Sequence, residues 1–178
     1  MKTLKKLMMV AMITSVLTFV FNTSFAQTPK LTDPEIASVA VTANQVDINY
    51  AAVAKAKSKN AEILKFAETM TNDHKAIIAQ AVALVTKLKV TPKDNAVSQK
   101  LNADADKTKK DLSAKSGKAF DKAYIDNEVA YHKAVIAAVS DLLIPQAQNA
   151  ELKALLNKVV PALKAHLAHA EMVQKDFK

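Results

Sequence analysis

Apolar side chains recur at steps of three and four residues along most of this chain. The clearest run spans residues 60–90. Its inner positions are Ile63, Phe66, Ala67, Met70, His74, Ile77, Ile78, Ala81, Leu84, Val85 and Leu88. This spacing is the period of one face of an α-helix. Comparable stripes follow Asp33, Gly117 and Asn149, so the pattern predicts four long amphipathic helices.

Proline, glycine and small polar residues divide the chain into these helices. Asp33 is expected to cap the first helix, because aspartate favours that position and a proline follows it. Pro92 is expected to end the second helix and Pro145 the fourth, since proline disfavours helical geometry in the preceding residue. Gly117, the only glycine, marks a turn, and Asn149 is expected to cap the last helix.

A fifth segment, residues 94–114, is polar and rich in lysine, which predicts a shorter and more exposed helix. The long helices have short connections, which favours antiparallel packing of neighbours. One glycine and five prolines leave few sites for β-hairpin turns. The sequence therefore predicts an all-α domain over residues 33–178, built as an antiparallel four-helix bundle with one additional shorter helix.

Residues 1–26 have the three parts of a secretory signal peptide. Three lysines precede an apolar run over residues 7–20, and a small-x-small cleavage site ends at Ala26. The alternative is a membrane anchor, but the apolar run is short beside the ~17–25 residues of a spanning helix. We expect export to the periplasm, a linker over residues 27–32, and no transmembrane segment after cleavage.

The composition excludes several kinds of site. No cysteine is present, which rules out disulfides, thiolate metal sites and a cysteine nucleophile. The formal net charge is +8, and every basic residue other than histidine is lysine. Arginine usually makes the bidentate contacts to phosphate and guanine, so its absence argues against specific nucleic-acid recognition. A lysine-rich surface favours solubility and leaves open only weak association with anionic envelope components.

Three histidines lie on the predicted inner faces of three different helices. His74 is near the middle of the second helix, and His132 and His166 are about 15 and 19 residues from the turn between the last two helices. At ~1.5 Å per residue, these two positions differ in height by only ~6 Å. The three imidazoles are therefore expected to meet at one level of the bundle.

Carboxylates accompany these histidines. Glu128 lies one turn before His132, Asp73 precedes His74, and Asp47 is near the middle of the first helix. Histidine and carboxylate side chains that converge inside a helical bundle can hold metal ions. The candidate metal ligands are therefore His74, His132, His166, Glu128, Asp73 and Asp47. Zn, Cu and Fe are the candidate metals, because all three bind imidazole.

The spacing differs from that of a di-iron centre, which has Glu-x-x-His pairs on two helices. Here Glu128 lies four residues before His132, so a ferroxidase centre is not predicted. A structural alternative also fits the sequence. Each buried histidine could hydrogen-bond a neighbour and so satisfy its polar atoms without a metal. The candidate neighbours are Tyr131, Tyr124, Asp73 and Glu128.

Several short motifs resemble those of a bacterial protein family. They are Phe66-Ala-x-x-Met70-x-x-Asp73-His74, Gly117-x-x-Phe120-Asp121-x-x-Tyr124, His132, and Pro161-x-Leu163-x-x-His166. In this order they resemble domain-of-unknown-function family 4142, whose members are often labelled predicted outer membrane proteins. The resemblance covers about residues 33–177. It implies an exported, ferritin-like helical bundle and brings no catalytic residues.

Three classes of function fit these observations. The first is a periplasmic, stress-associated bundle that holds a metal or small ligand at the level of the histidines. The second is a structural or partner-binding envelope protein without a metal, for which the sequence names no partner. The third is a metal-dependent redox enzyme. The sequence has no Gly-rich phosphate loop, no Gly-x-Ser-x-Gly elbow and no His-Glu-x-x-His motif, so enzyme motifs give no support to the third class.

Overall fold

Residues 29–177 fold into five long helices. The structure, a computed structural model, describes residues 29–177, so the predicted signal peptide lies outside the described residues. The helices are α1 (Asp33–Lys57), α2 (Ala61–Leu88), α3 (Ala96–Ser113), α4 (Gly117–Ala137) and α5 (Ala150–Gln174). Among residues 29–177 there is no strand, which confirms the all-α prediction. No helix in this part of the chain is long and apolar enough to cross a bilayer.

Four of these helices form a closed bundle, and the fifth lies beside it. Helix α1 packs on α2, α2 on α5, α5 on α4, and α4 on α1. The carboxylate of Asp33 contacts the start of α5 and Asn95 contacts Glu35, so α1, α3 and α5 begin at the same end. Ser58 hydrogen-bonds Asp121, which places the start of α4 at the opposite end. All neighbours in the bundle are therefore antiparallel, and α3 carries the chain across from α2 to α4, a ferritin-like connection.

The interior consists of two hydrophobic clusters separated by a level of polar side chains. One cluster lies towards the end of α1 and contains Phe66, Met70 and Tyr124, all fully buried. The other lies towards the start of α1 and includes Ile36 and Leu143. Burial of each large apolar side chain stabilises the fold by about 1.5–3 kcal/mol. These clusters therefore hold the helices firmly enough to bury the polar residues between them.

Helix α1 begins one residue earlier than predicted. Thr32, not Asp33, is the N-cap, and its N–H and hydroxyl both donate to the Glu35 carboxylate at 2.9 and 2.7 Å. The Asp33 carboxylate instead accepts the backbone N–H groups of Gln148 and Asn149, both at 2.8 Å. Through these two hydrogen bonds, Asp33 connects the start of α1 to the segment between α4 and α5. The prediction for Asn149 is confirmed, because its side chain caps α5.

The predicted ends of α2 and α4 are also corrected. Helix α2 ends at Leu88, before Pro92, because Lys89 adopts a left-handed conformation with φ of 53°. Pro145 does not stop the helical path after α4: a π-helical turn, Ala138–Leu143, is followed by a short α-helical turn, Ile144–Gln146. In an α-helix, a proline ring clashes with the carbonyl four residues earlier. The wider π turn directly before Pro145 relieves this clash.

The contacts of Asp33 give a first testable prediction. We expect Asp33→Ala to lower the free energy of unfolding by about 1–3 kcal/mol, because two backbone donors lose a charged acceptor. Urea denaturation followed by circular dichroism measures this. Asp111→Ala is the matched control, since Asp111 is an exposed aspartate on α3, and its effect should stay within about 0.5 kcal/mol. If both variants lose the same amount of unfolding free energy, the hydrogen bonds of Asp33 do not stabilise the contact between the helix ends.

Candidate functional site

The four helices of the bundle each bring at least one polar residue to the same level. Asp47 comes from α1, His74 from α2, Glu128 and His132 from α4, and His166 from α5. All five are buried, with His166 the most exposed at 5%. The centroids of the three imidazole rings lie 5.1–5.7 Å apart. The structure therefore brings the three histidines together, as the residue counts along the helices indicated.

In each histidine ring, one nitrogen points away from the centre of the cluster and hydrogen-bonds an oxygen atom. We call this the outer nitrogen, and the other the inner nitrogen. His74 donates from Nδ1 to the side-chain oxygen of Asn44 at 2.7 Å. His132 donates from Nδ1 to the backbone carbonyl of Glu128 at 2.9 Å, and His166 donates from Nε2 to the Asp73 carboxylate at 2.9 Å. These oxygens accept hydrogen bonds and cannot donate them, so the proton lies on the outer nitrogen. The inner nitrogen of each ring therefore carries a free lone pair.

Asn44 is a site residue that the sequence analysis missed. Its amide nitrogen donates to the carbonyl of Ala40 at 2.8 Å, which turns its oxygen towards His74. Asn44 lies three residues before Asp47, on the same side of α1. That spacing from a candidate carboxylate is the signal that would have identified it.

The inner atoms of the cluster face one another without hydrogen bonds. Asp47 Oδ2 is 3.4 Å from Nε2 of His74 and 3.4 Å from Nε2 of His132. These distances are long for hydrogen bonds, whose usual range ends near ~3.2 Å. Within residues 29–177, the atoms without a hydrogen-bond partner include both carboxylate oxygens of Asp47, Nε2 of His74 and His132, and Nδ1 of His166, while the Glu128 carboxylate interacts with the Tyr124 hydroxyl. Leaving so many buried polar atoms unpaired is costly, at about 1–3 kcal/mol for each group.

Burial controls the ionisation of this cluster. It raises the pKa of Asp47 to about 8 and raises that of Glu128 well above its ordinary value, with the neighbouring Asp47 adding to the effect on Glu128. Burial lowers the pKa of His74 to about 3 and that of His132 to about 4, and the nearby His166 ring lowers both further. At neutral pH the imidazoles of His74 and His132 are therefore uncharged, the form in which histidine binds a metal.

The other residues considered from the sequence lie outside this centre. Asp73 has a half-exposed side chain and contacts only the outer nitrogen of His166, so it orients that ring from the rim. Tyr131 donates its hydroxyl to the carbonyl of Ala43 at 2.8 Å rather than to a histidine. Of the four neighbours considered from the sequence, Asp73 and the backbone of Glu128 accept hydrogen bonds from histidines, whereas Tyr124 hydrogen-bonds the Glu128 carboxylate. None of these contacts satisfies the inner nitrogen of a histidine.

The side chains of the cluster form two overlapping groups of possible ligands. One consists of His74, His132 and His166, and the other of Asp47, Glu128 and His132; within each group the ligand atoms lie within 4.8 Å of one another. The donors are imidazole nitrogen and carboxylate oxygen, a combination that suits first-row transition metals. The cluster therefore has the donor types and the spacing of a metal centre.

The fold and the cluster define an all-helical bundle protein with a buried histidine–carboxylate centre. More narrowly, a family model for a domain of unknown function, DUF4142, matches residues 21–173. This match covers most of the chain, so the protein belongs to that family, and the resemblance of the motifs is confirmed. Comparisons with curated proteins and with solved structures gave no match.

Proposed function

We propose that this protein binds one zinc ion, held by Asp47, His74, His132 and His166, and that it does so in the periplasm. The observation that carries the proposal is the direction of the three histidines. Each has its outer N–H fixed by an oxygen and its inner lone pair directed into the cluster. Histidines that bind metals show this arrangement, because the outer hydrogen bond fixes the tautomer and the ring orientation.

Two of the six distances between the four proposed donors support tetrahedral coordination. Two ligands about 2.0–2.1 Å from a tetrahedral zinc ion are roughly 3.3 Å apart, whereas octahedral neighbours would be roughly 2.9 Å apart. Asp47 Oδ2 lies 3.4 Å from the inner nitrogens of both His74 and His132. These two edges therefore match a tetrahedron, the geometry that zinc adopts with nitrogen and oxygen ligands.

Glu128 balances the charge of the centre. Its carboxylate is fully buried, and one of its oxygens lies within 4.8 Å of a carboxylate oxygen of Asp47, a proposed zinc ligand. A zinc ion bound by a single carboxylate keeps one positive charge, which is costly to bury without a partner. An ionised Glu128 beside the ion neutralises that charge. This role also accounts for a fully buried acidic residue within the cluster.

Cobalt binding tests the proposal directly, because tetrahedral Co²⁺ absorbs visible light far more strongly than octahedral Co²⁺. Titration of the metal-free protein should give a strong absorbance that saturates at one ion per chain and disappears when zinc is added. His166→Ala should lose this signal. His169→Ala is the matched control, because His169 lies one turn later on α5 and packs its ring on Phe66 instead. If the wild type shows no stoichiometric signal, the structural network is the correct interpretation.

Asn44 gives a second prediction, on affinity. We expect Asn44→Ala to weaken zinc binding about 10- to 100-fold, because the His74 ring loses the bond that fixes its orientation. Competition with a chelator of known zinc affinity measures the change. Gln45→Ala is the control, since Gln45 is exposed on the same helix and bonds only Asn49. Unchanged affinity in the Asn44 variant would contradict the orienting role.

The cellular location is part of the proposal and is supported by the sequence. Residues 1–26 combine a basic start, an apolar run and a small-x-small site. Cleavage there would leave a mature chain that begins at Gln27, six residues before α1. Amino-terminal sequencing of the protein from a periplasmic extract checks this. A chain that still begins at Met1 would contradict export by this route.

A further inference from the structure

A cavity of about 350 Å³ lies inside the bundle beside the histidine–carboxylate cluster. An apolar void of about 150 Å³ is already large enough to bind benzene, and small-molecule sites begin at about 300 Å³. Asp104 on α3 and Ala134 on α4 line the cavity and are also exposed, so it opens to solvent between these two helices. The cavity is therefore large enough for a small ligand and open to its entry.

The sequence creates this space by placing alanine where longer side chains would fill it. The six alanines that line the cavity are Ala37, Ala40 and Ala43 on α1, Ala81 on α2, and Ala134 and Ala138 on α4 and the turn that follows it. The π-helical turn Ala138–Leu143 also forms part of the wall, and such turns are frequent at functional sites. Empty apolar space lowers stability, because the atoms around it lose contacts. A ligand that fills the space restores those contacts.

The cavity is elongated along the bundle. On α1 its lining runs from Ala37 to Tyr50, which is ~20 Å at ~1.5 Å per residue. Its aromatic lining residues, Tyr50 and Tyr131, lie at one end, where their rings meet edge to face with centroids 5.4 Å apart. Alanine, valine, leucine and isoleucine side chains form most of the remaining wall. A planar ring gains from aromatic stacking, so this long aliphatic wall suits a hydrocarbon chain better.

Polar lining residues gather at the tyrosine end, next to the proposed zinc centre. Two of them, Thr108 and Asn127, lie outside that centre, and Thr108 hydrogen-bonds the side chain of Tyr50. Asn127 lies one turn before Tyr131, and its side-chain nitrogen has no hydrogen-bond partner among residues 29–177. A side-chain amide both donates and accepts hydrogen bonds, as a hydroxyl group does. Asn127 is therefore suited to pair with a hydroxyl group of a ligand.

The lining offers no net charge to a ligand. Among residues 29–177 no lysine lines the cavity, and the chain contains no arginine. In the proposed zinc centre, Asp47 and Glu128 balance the charge of the ion, and four protein ligands complete its coordination. Asp104, at the opening, pairs with Lys100 at 2.8 Å. Burying a charge without a partner is costly, so the cavity favours an uncharged ligand.

We infer that this cavity binds an uncharged, unbranched aliphatic alcohol, with its chain along the aliphatic wall and its hydroxyl group on the side chain of Asn127. The cavity has roughly twice the volume of the void that holds benzene, so a chain of about ten carbon atoms fits it. Only the absence of charge rests on the proposed zinc centre. The contacts of the chain and of the hydroxyl group do not involve the ion.

1-Decanol is the probe, and decanoate is its charged counterpart. Isothermal titration of the zinc-loaded protein should show one 1-decanol bound per chain. Decanoate should bind at least about tenfold more weakly, because its carboxylate finds no cation in the cavity. The metal-free protein should bind 1-decanol within about threefold of the zinc-loaded protein. In NMR spectra, the bound chain should show contacts to valine and leucine methyl groups.

Ala81→Leu tests the position of the chain. Ala81 lines the cavity on α2, so a larger side chain there should fill part of the space and weaken 1-decanol binding at least about tenfold. The free energy of unfolding should not fall, which also shows that the variant folds. Ala83→Leu is the matched control, because Ala83 is exposed on the same helix, and its affinity for 1-decanol should equal that of the wild type.

Asn127→Ala tests the position of the hydroxyl group. Loss of one hydrogen bond should weaken 1-decanol binding about three- to tenfold. Asn102→Ala is the matched control, because Asn102 is exposed on α3 and does not line the cavity. Unchanged affinity for 1-decanol in Asn127→Ala would overturn the assignment of the hydroxyl group to this residue.

The outcomes separate this inference from the proposed function. Zinc binding without saturable 1-decanol binding would overturn the inference and leave the zinc site intact. Decanoate bound as tightly as 1-decanol, or equal 1-decanol affinity in Ala81→Leu and the wild type, would also overturn it. Absence of metal binding in the cobalt and zinc titrations would overturn the proposed function alone, whereas binding of 1-decanol to the metal-free chain would still support this inference.

Discussion

Replacing His132 by alanine is expected to abolish zinc binding and the stability that zinc gives to the protein. His132 belongs to both groups of possible ligands, one with His74 and His166 and the other with Asp47 and Glu128. Zinc at about 1,000 times its dissociation constant stabilises the folded state by about 4 kcal/mol. In a domain of this size that corresponds to a rise of roughly 10 °C in the unfolding temperature. Calorimetry with zinc and with a chelator should show this rise in the wild type and not in His132→Ala.

Two further variants control for simple loss of packing. His132→Gln keeps most of the side-chain volume in a position that is only 1% exposed, yet it should also lose the response to zinc. His169→Ala removes a histidine outside the cluster and should keep the full response. A zinc-dependent rise in either His132 variant, equal to that of the wild type, would show that the ion binds elsewhere.

Asp47→Asn is expected to weaken zinc binding strongly and, at the same time, to stabilise the metal-free protein above pH 6.5. Burial raises the pKa of Asp47 from 3.8 to about 8, so between these values the folded state holds a proton that the unfolded state releases. Asp47 therefore lowers stability as pH rises through this range, by about 1.4 kcal/mol for each pH unit, while Glu128, whose pKa burial also raises, acts in the same direction in the wild type and the variant. Asparagine cannot ionise, so the variant does not lose this part of the free energy of unfolding as pH rises.

The useful window for this measurement is pH 6.5 to 8. Below pH 6.5, the titration of His74 and His132 makes the free energy of unfolding rise with pH, opposite to the effect of Asp47. The reason is that burial holds the pKa values of both histidines below the ordinary 6.5. Between pH 6.5 and 8, the free energy of unfolding of the metal-free wild type, measured by urea denaturation, should fall by about 2 kcal/mol more than that of Asp47→Asn. Asp104→Asn is the control, since Asp104 is exposed and pairs with Lys100. If the free energy of unfolding falls equally steeply with pH in Asp47→Asn and the wild type, the pH dependence cannot be assigned to Asp47.

The helices and the bundle could be predicted because helical periodicity is a local property. The run with Phe66, Met70 and His74 identifies its buried face without knowledge of any other helix. The role of Asp33 could not be predicted in this way, because its partner Gln148 lies 115 residues away. The π turn before Pro145 was missed as well, since a proline in sequence indicates a break and not the way in which the chain accommodates it.

The histidine level could be predicted because an α-helix has a fixed rise per residue, so counting positions gives height. Asp73 was included among the candidate ligands for its closeness to His74, but consecutive residues on a helix point about 100° apart. With His74 directed inward, Asp73 must face the edge, where it reaches His166. Asn44 was missed because it lies outside the apolar stripe of α1, and only its three-residue spacing from Asp47 indicates that it shares a side of the helix with that carboxylate.

The four proposed ligands are divided between two helical hairpins, with Asp47 and His74 on α1 and α2, and His132 and His166 on α4 and α5. An ion bound by all four crosslinks the two halves of the chain at mid-height, as a disulfide crosslinks distant segments of many exported proteins. This chain has no cysteine with which to form one. If the chain is exported as proposed, its stability there would depend on the supply of metal and not on thiol-oxidising enzymes.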